Sequence, residues 1–301
     1  MESISRILFK ASPSYCLRLG VVCLALLVLA GCSMGQVVVR TSLSILDGGV
    51  KAMDRETDLE LARLAIPAQL KLLEGMIVED PRNVVLLRYA AQALCGYAFG
   101  FVEMEDQQRA GKLYRRGFEH TVIALRKLGL KAEPANWRPD QLKQDLARMG
   151  DKAIPTMFWA AYCLANWTNM NRDSPAGLAE AANAAALMER VLELDETYYY
   201  GGPHIFFGVY YGSRSPMLGG NYDLSQQHFD RAKQLTDGKF LIVDVLYAEY
   251  LARQRLDQAA FHNRLTHVIN APPDLFPEQA LLNVISQDRA RKLLVHEEAW
   301  F

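Results

Sequence analysis

The chain has 301 residues, with 33 Lys and Arg against 34 Asp and Glu, and half of its residues are hydrophobic. A net charge of -1 without a basic tract leaves no electrostatic footprint for nucleic acid. Five cysteines in this length are too few for a disulfide framework.

The chain opens with the basic residues Arg6, Lys10 and Arg18, followed by small and apolar residues without interruption from Leu19 to Ala30. That run is shorter than the about 20 apolar residues a spanning helix needs, and it fits the apolar region of a secretory signal. It ends Leu29-Ala30-Gly31-Cys32, which resembles the bacterial lipobox, where the cysteine thiol takes a diacylglycerol and the chain is cut just before it. Residues 1–31 are therefore expected to be a lipoprotein signal peptide, and Cys32 the lipidated first residue of the mature chain. Two or more acyl chains anchor stably where one does not. Position 33 is Ser, not the Asp that often retains such proteins at the inner membrane, which favours the periplasmic face of the outer membrane. Processing removes three basic residues and Glu2, leaving a net charge of -3. It also removes Cys16 and Cys23. Cys95 and Cys163 remain in apolar helical contexts, either as small hydrophobic thiols or bonded to each other in an oxidising compartment.

Residues 32–53 are short on pattern and contain Gly48-Gly49, so they read as a tether. Residues 54–301 carry helical periodicity nearly throughout, and no segment alternates with period two for a strand's length. The expected fold is all-α. Helices are expected over 58–78, with Pro67 inside as a kink or junction, and over 84–102, 106–128, 139–149, 151–170 and 177–194. Others are expected over 203–214, 223–235, 241–256, 258–269 and 277–298. In 151–170, Phe158, Trp159, Tyr162 and Trp167 cover one half of the wheel, with small and apolar residues on the other. Such a helix is buried on both sides.

Aromatics and glycines are densest from Tyr198 to Tyr222. Gly201-Gly202 reads as a break, and Pro203 fits the first turn of a new helix. An advance of about 100° per residue puts Phe206, Phe207, Tyr210 and Tyr211 on one arc, with Arg214 a turn later and Gly208 and Gly212 on another face. Aromatic stripes commonly face other side chains, so core packing and a ligand surface both fit this wall. A guanidinium among these rings needs a carboxylate, the carbonyls of a helix end or an anionic ligand. The segment Ser215-Pro216-Met217-Leu218-Gly219-Gly220 reads as a loop.

Repeats lie beneath the helices. Ala184-x3-Met188-x2-Val191-Leu-Glu-Leu-Asp195 is similar to the second helix of a tetratricopeptide unit, and Gly220-x-Tyr222-x2-Ser225-x3-Phe229-x2-Ala232 has the spacing of the next. The separations Met76 to Gly117 and Val191 to Ala232 are both 41. A standard unit is about 34 residues, so these are lengthened, degenerate repeats, and 54–301 is expected to form one superhelical domain with a concave face.

The order of pieces resembles the T component of tripartite ATP-independent periplasmic (TRAP) transporters. The resemblance is carried by Pro67-x2-Leu70-Lys71-Leu72-Leu73-Glu74, Glu79-Asp80-Pro81-x-Asn83, and Phe158-Trp159 with Trp167 and Asn169. Above all it is carried by Gly202-x-His204-x-Phe206-x-Gly208-x2-Tyr211-x-Ser213-Arg214-x-Pro216-x2-Leu218-Gly219-Gly220. Glu196 departs from the proline usual in the repeat. The resemblance implies a helical periplasmic lipoprotein that partners a TRAP-type solute-binding protein, handles an apolar or amphipathic organic ligand, and assembles as a homotrimer with channels. Candidate channel residues are Trp159, Trp167, Phe206, Phe207, Tyr210, Tyr211 and Arg214. Ser215, Pro216, Leu218, Gly219 and Gly220 are the candidate partner contacts.

No two histidines flank a Glu at i,i+4 spacing, and there is no Cys-x-x-Cys, no Gly-x-Ser-x-Gly and no Gly-rich phosphate loop. No catalytic residue, metal, cofactor or enzymatic activity is expected. The other function left open is a periplasmic helical-repeat scaffold in envelope assembly, without a small-molecule ligand.

Overall fold

The computed structural model describes residues 34–133, 137–172, 174–272 and 274–301. The expected signal segment and Cys32 lie outside the described residues. All regular elements among the described residues are helices, so the fold is all-α. In chain order they begin with α1 (Met34–Thr41), α2 (Leu43–Asp54), α3 (Leu59–Glu79), α4 (Val84–Phe101) and α5 (Gln107–Lys127). Next come α6 (Pro139–Leu146), α7 (Ile154–Met170), α8 (Pro175–Leu194), α9 (Tyr198–Gly212) and α10 (Tyr222–Leu235). The last are α11 (Ile242–Tyr247), α12 (Gln258–Asn270), α13 (Ala280–Leu294) and α14 (Glu297–Trp300). A π-helical turn, Ala248–Ala252, continues α11.

The stretch expected to be a tether is helical, as α1 and α2. Val39, Leu43, Leu46 and Val50 recur at three- and four-residue steps and pack against Leu73, Leu86 and Tyr89. The Tyr89 hydroxyl donates to Asp47 at 2.7 Å, and Arg40 pairs with Asp80 at 2.9 Å. That apolar stripe outweighs the two glycines within it.

Many helix starts are written locally. Asp58, Asn83, Asp106, Ser174, Asn221 and Asp257 each accept a backbone N–H of the helix they precede. Each such cap stabilises its helix by about 1 kcal/mol. Helices joined by short connections then pack side by side: α4 on α5, α7 on α8, α9 on α10, and α12 on α13. Polar links cross between neighbouring hairpins. Arg63 reaches Glu105 and Arg116 reaches Glu74, each across 42 residues; Arg190 reaches the Met149 carbonyl across 41, and Arg289 reaches Glu249 across 40. The spacing of about 41 read from the motifs thus recurs in side-chain contacts. One apolar core runs continuously from Ala62 to Leu293.

Cys95 and Cys163 are bonded to each other, tying α4 to α7 across 68 residues. Gly117 of α5 passes so close that a Cβ there would lie 2.4 Å from the Cys95 sulfur. Three helices therefore converge on the disulfide, which closes a loop long enough to stabilise the fold by about 4 kcal/mol.

The two ends of the domain meet at a buried charge cluster. Arg289 of α13, only 5% exposed, donates Nη1–H to Glu103 just beyond α4. It also grips Glu249 of the π-helical turn with two bonds, from Nε at 2.9 Å and from Nη2 at 3.0 Å. The Tyr114 hydroxyl donates to the other Glu103 oxygen, and the Phe99 ring lies 4.7 Å below the guanidinium. Burial pushes the Glu103 carboxyl up, while Arg289 and Tyr114 pull it back. Removing one member leaves the others charged and unmatched. Arg289→Met is accordingly expected to lower the unfolding free energy by about 3 to 5 kcal/mol in urea denaturation, well beyond a surface Arg such as Arg109.

Candidate functional site

The helix expected to start at Pro203 begins at Tyr198, and its first turn is irregular. Tyr199, Tyr200 and Gly201 have φ of 49°, 59° and 76°. A left-handed conformation costs a side-chain-bearing residue about 1 to 2 kcal/mol, so two tyrosines there must be held from outside. They are. Tyr199 packs its ring 5.3 Å from both Phe158 and Trp159, and Tyr200 lies 5.5 Å from Phe240 and 5.0 Å from Phe276. Gly202 follows because a Cβ there would strike the Phe158 ring at 2.5 Å.

Beyond this turn, α9 presses its glycines onto α10. A Cβ on Gly208 would meet the Phe229 ring at 2.8 Å, and one on Gly212 would meet Ser225 Oγ at 2.6 Å and the Tyr250 carbonyl oxygen at 3.0 Å. Ser225 donates to the Gly208 carbonyl at 2.7 Å. With that face against α10, Ile205, Phe206, Val209, Tyr210 and Ser213 of α9 turn toward a cavity of about 880 Å³. Phe158, Trp159 and Tyr162 of α7, Tyr97 and Phe99 of α4, and Tyr250 of the π-helical turn form other walls. Trp159 meets Phe158 and Tyr162 edge to face at 5.4 and 5.3 Å, and Phe206 stacks on Tyr210 at 6.0 Å. Such a lining suits an apolar body, with the few polar groups setting its orientation.

The aromatic arc read from the wheel divides. Phe206 and Tyr210 line the cavity, whereas Phe207 and Tyr211 turn to the other side and pack on His228, at 5.4 and 5.9 Å. The cavity face is centred nearer Ile205 and Val209, about one residue's rotation from the expected arc. On α7, Trp159 lines the cavity but Trp167 does not; its ring lies 5.3 Å from the Arg115 guanidinium. Eight residues advance the helix by about 80° past two full turns, enough to carry Trp167 off that wall. Arg214 lies over the Tyr210 ring at 3.8 Å and donates to the Tyr210 carbonyl from Nε and Nη2, at 3.2 and 2.8 Å. Among the described residues, the helix-end carbonyl is the protein group that receives its hydrogen bonds.

The loop after α9 makes a single 3-10 turn, Pro216–Leu218, followed by Gly219 at φ 83°. Gly220 lies so close to the Arg214 carbonyl that a Cβ would be 1.9 Å from its oxygen. Ser215 and Leu218 belong to the cavity lining, while Pro216, Gly219 and Gly220 shape the turn. Met217 and Leu218 are 96% and 72% exposed.

Behind the wall, Glu196, His204, His228 and Arg231 join in one chain. His204 Nε2 pairs with Glu196 and His204 Nδ1 with His228 Nδ1, each at 2.9 Å, and Arg231 also donates to Glu196. Hydrogen bonds from Arg231 and then His204 hold the Glu196 carboxyl down to about 2. Burial, followed by the neighbouring His204, lowers His228 to about 4. Glu196 has no counterpart in the repeat pattern, whose proline could accept no such role. Lining residues that sequence reading missed include Tyr97, Phe99, Tyr199, Tyr250 and Asp54. Wheel positions on 84–102 could have exposed the first two; nothing local marks Tyr250.

These features define an all-α protein whose helices wall an aromatic-lined cavity. The chain belongs to the TRAP transporter T-component family, whose sequence profile matches residues 55–301. Membership associates it with a TRAP transporter and with the periplasm or cell envelope. An uncharacterized protein of Treponema pallidum (strain Nichols) is similar to it, 25% identical over 276 residues that cover 83% of each chain.

Two groups give opposing pH dependences. His228, lowered from 6.5 to about 4, binds its proton first in the unfolded chain, so it removes stability as pH falls from about 6.5 to 4. Asp54, raised from 3.8 to about 6 by burial, binds its proton first in the folded chain, so it adds stability as pH falls from about 6 to 3.8. The two largely offset each other. Asp54→Asn is expected to steepen the loss of stability between pH 6.5 and 4, and His228→Asn to reverse it, as read by denaturant midpoints at half-unit pH steps.

Proposed function

We propose that this chain is a periplasmic lipoprotein that works beside the solute-binding protein of a TRAP-type transporter. It holds an apolar or amphipathic organic molecule in its cavity during uptake. The observation that carries the reading is the cavity itself, about 880 Å³ and walled by aromatic rings, in a member of the T-component family. A scaffold that holds only other proteins has no use for such a space. The loop 215–220 supports hand-over to the partner, because Leu218 both lines the cavity and stands out into solvent beside Met217. The Cys95–Cys163 bond suits an oxidising compartment. The hairpin spacing near 41 supports the tetratricopeptide-like superhelix, and the family resemblance supports a homotrimer.

The decisive experiment has two readouts. Denaturing the purified chain is expected to release an apolar organic molecule visible by mass spectrometry, and Val209→Trp, which fills the cavity, to carry less of it. Pull-down from periplasmic extract is expected to capture a TRAP-type solute-binding protein, with Leu218→Glu reducing recovery. A chain that releases no organic molecule and captures only envelope-assembly proteins would refute the reading.

The anchor is proposed at Cys32, in the outer membrane's periplasmic face, on the strength of the apolar run that ends Leu29-Ala30-Gly31-Cys32. Cys32→Ala is expected to leave an uncleaved or soluble precursor in cell fractionation. Normal processing and membrane recovery of that variant would exclude lipidation there.

A further inference from the structure

Among the cavity-lining residues are one carboxyl group, Asp54, and two guanidinium groups, Arg172 and Arg214. Both arginines donate to main-chain carbonyls, Arg172 to Asn169 at 3.1 Å and Arg214 to Tyr210 at 2.8 Å. Asp54 differs. It is half-buried in the last turn of α2, where the carbonyl end of the helix disfavours a negative charge. None of the described residues hydrogen-bonds or ion-pairs with its side chain, and burial pushes its carboxyl up to about 6. Val50 and Met53 of its own helix line the cavity with it, as does Tyr199 of α9, whose hydroxyl feels its charge. Burial, and then the Asp54 charge, keeps the Tyr199 hydroxyl protonated. At neutral pH most of the Asp54 carboxyl is ionised. A desolvated carboxylate without a cation or donor is costly, and structures tolerate one where a ligand supplies the missing partner.

We infer that Asp54 anchors the head group of the molecule this cavity receives, and that the head group is a protonated amine carried on an apolar body. The inference rests on the cavity being the ligand site proposed above. An ammonium brings the positive charge and the N–H donors that the carboxylate lacks, and charge-assisted bonds of this kind are among the strong ones. Trp159 and Tyr199 offer ring faces that attract the same cation, and the aromatic walls beyond them receive the body.

The test uses the purified full chain at pH 7.5 and three probes of one chain length, n-decylamine, n-decanol and n-decanoate, each displacing N-phenyl-1-naphthylamine. Decylamine is expected to bind about tenfold or more tighter than decanol, and decanoate more weakly than either. Asp54→Asn is expected to abolish the decylamine advantage while leaving decanol unchanged. A second measurement needs no variant. Dicyclohexylcarbodiimide, an apolar reagent that adds to carboxyl groups, is expected to label Asp54 in the native chain, and decylamine to protect it at lower concentration than decanol, with labelling of Glu298 unaffected. Equal binding of decanol and decylamine, or protection of Asp54 by neither, overturns the Asp54 assignment and leaves the cavity as a ligand site. Failure of decanol and decylamine alike to displace the dye overturns the cavity reading itself.

Discussion

The fold depends on a buried arginine. Arg289 draws Glu103 and Glu249 together from positions 186 and 40 residues away, and the Tyr114 hydroxyl completes the set. Charges taken out of water repay their desolvation only when geometry and hydrogen bonding are good, and here every oxygen of Glu103 is used. What the cluster secures is shape. A space of about 880 Å³ between helices persists only where its walls are held apart. Arg289 pins the last long helix to the end of α4 on one side of that space, and the disulfide pins α4 to α7 on another. The walls cannot simply relax inward.

The same logic explains the irregular backbone. Left-handed tyrosines at 199 and 200 and a π-helical turn at 248–252 are unfavourable on their own, and each sits where a side chain must be turned toward the cavity. The first aims Tyr199 at Trp159; the second brings Tyr250 to the wall while its carbonyl closes on Gly212. Strain of about 1 to 3 kcal/mol per site is tolerable when dense packing around it leaves no alternative. Phe158, Phe240 and Phe276 supply that packing.

Much of the fold was legible because helices announce themselves through period and caps. Leu59 to Glu79 and Gln107 to Lys127 could be read nearly to the residue, with Asp58 and Asp106 at their starts. The failures have physical causes. Gly48-Gly49 drew attention from an apolar stripe that needs Leu73 and Tyr89 across the interface to become visible. The aromatic arc of α9 was correct as a wheel, but which part of it faces inward is decided by Gly208 against Phe229, a contact between helices. The triad of Glu103, Glu249 and Arg289 left no trace at all, because each charge lies among residues that would look solvated if its partners were unknown. Asp54 was taken for the start of the helical domain, and its isolation becomes apparent only once the cavity encloses it.

Residues 34–54 are helices packed on the body, not a loose tether. A flexible 22-residue leash would let the domain roam tens of ångströms from its membrane, at roughly 3.5 Å per extended residue. Val39 instead locks the first described helix to the body, and Leu43, Leu46 and Val50 hold the second. With the acyl anchor proposed at Cys32, such a body would be moored rather than leashed, and any partner that exchanges cargo with it would have to do the travelling.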